Sequence, residues 1–161
     1  MQIILNSSPV IFLAKLSYLN QFIEYPDDFY IPQSVAEEIS AKSDPASQTI
    51  QTLIKAGKLQ VRTSSLITLL NSLNQRLGKG ESEAIALGIE LNADYVLLDD
   101  STARREAKRL GLSIKGTLAV IKKINKDGKI SIDSLDTLYQ KIIEIEFRVK
   151  RSLFDQIFSE D

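Results

Sequence analysis

Short apolar runs alternate along this chain with longer stretches in which apolar residues recur every three or four positions. The short runs contain β-branched or aromatic residues and predict strands at 2–5, 29–31, 59–62, 95–98 and 113–115. The longer stretches predict helices at about 7–18, directly after Pro32, and at about 46–56, 66–77, 81–91, 102–110, 117–125, 132–144 and 152–158. This alternation predicts an α/β fold, a three-layer α/β/α sandwich around a central, mostly parallel sheet. The length of 161 residues suits one domain, 1–161.

Polar residues directly follow two of the predicted strands. Asn6 comes after the strand 2–5, and Asp99 and Asp100 come after the strand 95–98. Parallel strands bring their carboxyl ends to one edge of the sheet, so we expect these side chains to be neighbours. Glu38 and Glu83 lie on predicted helices that begin near this edge, and we expect them to reach the same point. By themselves, Asp99 and Asp100 are equally typical of a helix start, where the helix dipole favours acids.

The residue types that are missing narrow the chemistry. The chain has no Cys, which excludes disulfides and thiolate chemistry. It also has no His, which excludes His-dependent catalytic triads and His-based zinc sites. Hydrolysis would therefore need carboxylates, Lys, Tyr or a hard metal ion, and oxygen ligands favour Mg²⁺, Mn²⁺ or Ca²⁺.

The net charge is only −1, but it is unevenly distributed. Between Ser101 and Lys129 the chain has nine basic and two acidic residues, a local charge of +7. Such a segment is typical either of a solvated helix face or of a surface that binds a polyanion. In the second interpretation Arg104, Arg105 and Lys108, on the outer face of one predicted helix, bind a nucleic-acid backbone.

The apolar runs also bear on where the protein acts. None of them approaches the roughly 20 residues that a membrane-spanning helix needs. The first six residues have no basic region of the kind that begins a signal peptide. We therefore expect a cytoplasmic protein that does not associate with a membrane.

Several short motifs occur in order over almost the whole chain. They are residues 5–11, 31–38, 80–87, 97–100 with Arg104, 110–112, 116–118 and 147–149. Each is weak alone, but the ordered set resembles the PIN-domain family of metal-dependent ribonucleases, and in particular a prokaryotic branch of that family. The resemblance implies a single PIN-like domain over residues 1–161.

The resemblance also implies which residues form the site. In this family, acids of these motifs bind one or two Mg²⁺ or Mn²⁺ ions and cleave single-stranded or structured RNA. Carried over by position, the catalytic and metal-binding acids are Glu38, Glu83, Asp99 and Asp100, with only one of the last two expected as a ligand. Glu81 is a further candidate, and the basic residues that would bind the RNA are Arg104, Arg105 and Lys108.

The chain departs from the family pattern after the first strand. The family usually has Asp there, whereas this chain has Asn6, which is still expected to contribute to the metal site. An amide oxygen brings no negative charge, so both metal affinity and activity are expected to be lower. Ser7 and Thr117 match small hydroxyl residues near the family's site.

Three hypotheses about function remain open at this point. The first is a metal-dependent ribonuclease that is the toxin of a toxin–antitoxin pair, with RNA and an antitoxin protein as partners. The second is a degenerate PIN-like domain that binds RNA or a protein without cleavage. The third is a flavodoxin-like or receiver-like regulatory domain, but Asn6 and the two following serines do not supply the acidic pair that a receiver domain needs. A homodimer is a further candidate assembly in each case.

Overall fold

The computed structural model describes residues 1–159. Within this range the strands are β1 Gln2–Leu5, β2 Asp28–Pro32, β3 Gln60–Arg62, β4 Tyr95–Leu97 and β5 Ile114–Lys115. The first five helices are α1 Ser7–Lys15, α2 Leu19–Ile23, α3 Gln33–Ser40, α4 Pro45–Lys55 and α5 Ile67–Asn74. The next five are α6 Lys79–Glu90, α7 Ser101–Arg109, α8 Thr117–Lys126, α9 Leu135–Glu144 and α10 Arg151–Ser159.

The strands form one sheet in the order β3-β2-β1-β4-β5, and every neighbouring pair is parallel. The predicted central parallel sheet is therefore confirmed. β1 lies in the middle, where Ile3 pairs with Phe29 of β2 on one side and with Tyr95 of β4 on the other. The strand order reverses between β1 and β4, and the carboxyl ends of these two strands flank a crevice of the kind that binds ligands in open α/β sheets.

Successive side chains along a strand point to opposite faces of the sheet, and their apolar members form two hydrophobic cores, one on each face. Ile3 and Leu5 of β1 face a core shared with α1, α2, α3, α4, α8, α9 and α10. Ile4, between them, faces a second core that includes residues of α5, α6 and α7. Helices thus cover both faces of the sheet, which confirms the three-layer α/β/α arrangement.

Several elements differ from the sequence-based prediction. Helix α1 ends at Lys15, α5 ends at Asn74 and α9 begins at Leu135, so each is shorter than predicted at that end. Helix α2 was not predicted, because its five residues are too few to show a helical period, although Leu19, Phe22 and Ile23 are buried. Ser17, in the left-handed region at φ +63°, makes the turn that separates α2 from α1. Helix α6 begins at Lys79 and not at Glu81, so Gly80 lies within its first turn.

No helix within residues 1–159 is both long enough and apolar enough to cross a bilayer.

Candidate functional site

The crevice between the carboxyl ends of β1 and β4 brings Asn6 and Asp99 to the same edge of the sheet. Asn6 directly follows β1, and its backbone N–H donates to the carbonyl oxygen of Leu97, at the end of β4, over 3.2 Å. Asp99 lies two residues beyond Leu97. The pairing of β1 with β4 thus places Asn6 and Asp99 at the same edge of the sheet, as predicted.

Three hydrogen bonds fix the carboxylate of Asp99. The hydroxyl of Ser8 donates to Oδ2 over 2.7 Å. The hydroxyl of Thr117 also donates to Oδ2, over 2.6 Å, and the backbone N–H of Thr117 donates to Oδ1 over 2.8 Å. Since Ser8 belongs to α1 and Thr117 opens α8, these bonds connect the beginnings of two helices to the strand end that carries Asp99.

Asn6 is buried, with 5% of its surface exposed, and its side-chain oxygen Oδ1 has no hydrogen-bond partner within residues 1–159. Asn6 occupies the N-cap position of α1 but makes no capping bond. The third residue of α1 is Pro9, which has no N–H to offer to a cap. A buried oxygen without a partner costs about 1–3 kcal/mol, so this atom is a ready acceptor for a ligand.

Gly80, in the first turn of α6, leaves the space in front of Asn6 open. A Cβ built on Gly80 would lie 3.1 Å from Asn6 Oδ1 and 3.3 Å from a methyl group of Val35. The hydroxyl oxygen of Ser34 is 4.0 Å from the same point. Any residue larger than glycine would therefore crowd the unpaired oxygen.

Glu83 lies on α6 and binds the amino end of α3. Its Oε2 accepts from the backbone N–H of Ser34 over 3.1 Å and from the Ser34 hydroxyl over 2.8 Å. Because Ser34 and Asn6 both flank Gly80, Glu83 belongs to the same region as Asn6. Ser34 also supplies the positive end of a helix dipole to this carboxylate.

Asp100 and Asp99 have different roles, which the sequence alone did not separate. Asp100 is the N-cap of α7, where its Oδ2 accepts from the N–H of Ala103 over 2.9 Å. The interpretation of an acid at a helix start is thus correct for Asp100, whereas Asp99 turns toward Thr117. Partial burial raises the pKa of Glu81, and the negative charge of Asp100 raises it further, so Glu81 and Asp100 share one electrostatic environment.

The predicted acids do not converge. Glu38 is exposed on α3, beside the buried Val35 and Ile39. Within residues 1–159 no three acidic side chains lie close enough together to hold one metal ion. This corrects the expectation that Glu38, Glu83 and Asp99 or Asp100 meet around an ion. The physical reasons are that position 6 carries a neutral amide and that Glu83 is engaged by Ser34.

The donors that do lie at the crevice nevertheless suit a hard cation. Asn6 Oδ1 is a buried carbonyl oxygen without a partner, and Asp99 offers a carboxylate that is already oriented. Carbonyl and carboxylate oxygens are ligands that Mg²⁺ and Mn²⁺ accept. The residues present therefore fit such an ion, with one negative charge fewer than an aspartate at position 6 would give.

The basic residues predicted to bind RNA are divided between two environments. Arg105 and Lys108 are exposed on α7, as expected. Arg104 is half-buried and does not point outward: its guanidinium donates to the carbonyl oxygen of Leu98 over 2.8 Å. A Cβ built on Gly116 would lie 3.1 Å from this guanidinium and 3.2 Å from Asp99 Oδ1, so Arg104 borders the candidate site.

Four residues of the site were not singled out from the sequence: Ser8, Ser34, Gly80 and Gly116. Each lies within one of the motifs, directly after a strand or at a helix start, where side chains and backbone face the crevice. That position was a usable signal, but the partner of each residue depends on the order of the strands.

Comparison with known proteins covers nearly the full length of the chain. A protein-family model described as a PIN domain matches residues 2–160. No curated protein sequence matches the chain. The matched range includes every residue of the candidate site, from Asn6 to Thr117.

Proposed function

Because the chain belongs to the PIN-domain family, whose fold is of the nuclease type, we propose that it is a ribonuclease that depends on Mg²⁺ or Mn²⁺. It cleaves phosphodiester bonds of RNA, and it acts in the cytoplasm. One observation carries the proposal: at the carboxyl ends of the paired strands β1 and β4, Asp99 is oriented by Ser8 and Thr117, and the buried Oδ1 of Asn6 has no partner within residues 1–159.

Each residue of the candidate site has a role in the proposed reaction. Asn6 Oδ1 and Asp99 would hold the ion, and Glu83, which lies in the same region as Asn6, is the further acid proposed to contribute a negative charge. When bound, the ion supplies a water of lowered pKa and a clamp on phosphate oxygens, which a chain without His needs for hydrolysis. Ser8 and Thr117 keep Asp99 in one orientation, and Arg104 places a positive charge at the edge of the site.

The same proposal includes a biological setting. The ribonuclease is the toxin of a toxin–antitoxin pair, and an antitoxin protein is its partner. Induced expression of the chain alone is expected to arrest growth, and co-expression of a small protein encoded beside it is expected to restore growth. Growth that continues during expression of an active ribonuclease would contradict this setting.

A second candidate function rests on Asn6 and on the separation of the acids. A PIN domain with a neutral amide at this position, and with no three acids together within residues 1–159, is a candidate for binding without cleavage. It would bind RNA or a protein partner through the surface around the crevice. Binding of RNA without cleavage at any Mg²⁺ or Mn²⁺ concentration would favour this alternative.

The test is cleavage of labelled RNA by the purified protein with Mg²⁺, Mn²⁺ or a chelator. We expect cleavage with Mn²⁺, weaker cleavage with Mg²⁺, and none with the chelator. Asp99→Asn should remove the activity, whereas the control Asp133→Asn, at an exposed acid outside the site, should retain it. Cleavage that persists in the chelator or in Asp99→Asn would contradict the proposed mechanism.

A further inference from the structure

A groove begins at Asp99 and follows helix α8 toward the carboxyl-terminal part of the chain. Its volume is about 850 Å³. One wall is α8, which is about 15 Å long at 1.5 Å per residue. The opposite wall is the segment 147–157, which includes the start of α10. The groove is therefore continuous with the candidate site at one end.

The groove is strongly cationic. Six basic side chains and two carboxylates line it; the basic ones are Arg104, Lys115, Lys122, Lys123, Lys126 and Arg148. The carboxylate at one end is Asp99, and that at the other end is Asp127. Lys126 and Arg148 are both exposed, and neither has an ion-pair partner within residues 1–159. Their charges are thus available to an anionic ligand.

The two walls differ in character. The basic residues come mainly from α8, with Lys115 at the end of β5, whereas the opposite wall is mainly apolar, with Phe147, Val149, Leu153 and Ile157. Leu153 is 49% exposed, so this part of the apolar wall is open to solvent. Lys122 joins the walls, since its ammonium donates to the carbonyl oxygen of Ile157 over 2.9 Å.

We infer that this groove binds a single strand of RNA and leads it to Asp99. The phosphates lie along the cationic α8 wall, and the bases lie against the apolar wall of residues 147–157. Proteins that bind single strands combine a positive groove for the backbone with aromatic side chains for the bases, and Phe147 is the aromatic residue of the apolar wall. The inference rests on the proposed ribonuclease function, and it assigns RNA to a surface other than the Arg105 and Lys108 face of α7.

The two-sided character of the groove favours a single strand over other anionic ligands. A duplex keeps its bases stacked inside, so the exposed Leu153 and the half-buried Phe147 would have no base surface to contact. An acidic peptide such as polyglutamate could pair its carboxylates with the α8 wall, but it carries no bases to lie against the apolar wall.

Binding is measured by fluorescence anisotropy of a short labelled single-stranded RNA in the presence of a chelator, so that no cleavage occurs. The groove variant is Lys126→Ala with Arg148→Ala. The matched control is Lys55→Ala with Lys58→Ala, two exposed lysines at the end of α4 and in the loop before β3 that do not line the groove. Arg105→Ala with Lys108→Ala tests the α7 face, and Leu153→Ser tests the apolar wall.

Log affinity falls as log salt rises, and each phosphate contact to a single strand contributes about 0.7 to the steepness of this fall. The groove variant removes two charges, so we expect its slope to be less steep by about 1.4. The control should keep the wild-type slope. Leu153→Ser should weaken binding with no change of slope, because it removes an apolar contact and no charge. The corresponding duplex and a polyglutamate peptide should bind more weakly than the single strand.

Three results would overturn the inference: an unchanged slope in the groove variant, a slope reduced only in the α7 variant, or tighter binding of polyglutamate than of RNA. Cleavage with Mn²⁺ is measured on the same preparations to separate the two proposals. If the groove variant binds RNA more weakly but no protein cleaves RNA, the proposed ribonuclease function is contradicted and RNA binding in the groove is supported. If the wild type cleaves RNA and the groove variant binds RNA as tightly as wild type, only the proposed RNA binding in the groove is contradicted.

Discussion

The hydroxyl of Ser8 donates a 2.7 Å hydrogen bond to the carboxylate of Asp99, a residue 91 positions later in the chain. Thr117 makes two further bonds to the same carboxylate. Ser8 and Thr117 open different helices, α1 and α8, and both helices pack on the same face of the sheet. The orientation of Asp99 is therefore set by residues from both sides of the strand-order reversal.

The first prediction concerns the partners of Asp99. Ser8→Ala and Thr117→Val each remove one hydroxyl donor to Oδ2, so the carboxylate is less firmly oriented. Each variant is expected to lower Mn²⁺ affinity by about 10–100-fold and stability by about 1 kcal/mol. Calorimetric titration and urea unfolding measure the two effects. Ser40→Ala, at an exposed hydroxyl outside the site, is the control, and unchanged Mn²⁺ affinity in both variants would show that Asp99 is not a ligand.

The second prediction concerns the missing charge at position 6. Asn6→Asp places a carboxylate at a buried position where the present oxygen has no partner. Without metal the variant should unfold at a lower temperature than wild type, because a buried charge is unpaired. A ligand that binds only the folded state stabilises the protein, and a tighter ligand stabilises it more. Mn²⁺ should therefore raise the unfolding temperature of the variant by more than it raises that of wild type.

Asn6→Asp should also increase ribonuclease activity, and Glu83→Gln in that background should abolish it. The measurements are thermal unfolding with and without Mn²⁺, calorimetric titration and RNA cleavage. A variant that is destabilised equally with and without metal would show that position 6 does not contact an ion.

The third prediction concerns Gly80. Alanine in a helix is favoured over glycine by about 1 kcal/mol, but the added Cβ would lie 3.1 Å from Asn6 Oδ1. Gly80→Ala should therefore change stability by less than about 1 kcal/mol while it weakens Mn²⁺ binding. In the control, Gly88→Ala, the Cβ would lie 2.7 Å from a Val96 methyl group, and this core crowding should cost about 1–3 kcal/mol. Full Mn²⁺ affinity in a folded Gly80→Ala protein would exclude an ion beside Asn6.

The fourth prediction concerns pH and Glu106, a largely buried acid on α7. Its bonds to Arg109, together with the charges of Arg109 and Arg76, lower the pKa of the Glu106 carboxyl. A carboxyl whose pKa is lower in the folded state stabilises the protein above its unfolded pKa of about 4.3, and this stabilisation is lost as the pH falls through the folded pKa.

Glu106→Gln should accordingly destabilise the protein most at pH 7, and the difference from wild type should shrink in acid below about pH 4.3. Urea unfolding over a pH series measures this, with Glu144→Gln at an exposed acid as the control. A difference that stays constant down to the acid limit would mean that the two arginines do not hold Glu106 ionised.

The sequence predicted the framework of the site better than its contacts. Alternation of strands and helices was enough to place Asn6 and Asp99 at one edge, because parallel strands leave little choice. It did not predict that Asp99 turns toward Thr117 while Asp100 caps α7, since both acids fit either role. Nor did it predict the inward turn of Arg104, because the carbonyl that a long side chain reaches depends on the tertiary packing; here it is that of Leu98.

The position of β1 in the middle of the sheet has a consequence for synthesis of the protein. β1 is translated before its partner β4, which begins at Tyr95, and the last donor to Asp99 is Thr117. A nascent chain therefore has no assembled crevice until Thr117 has been translated. The proposed ribonuclease activity would accordingly appear only after this point of synthesis.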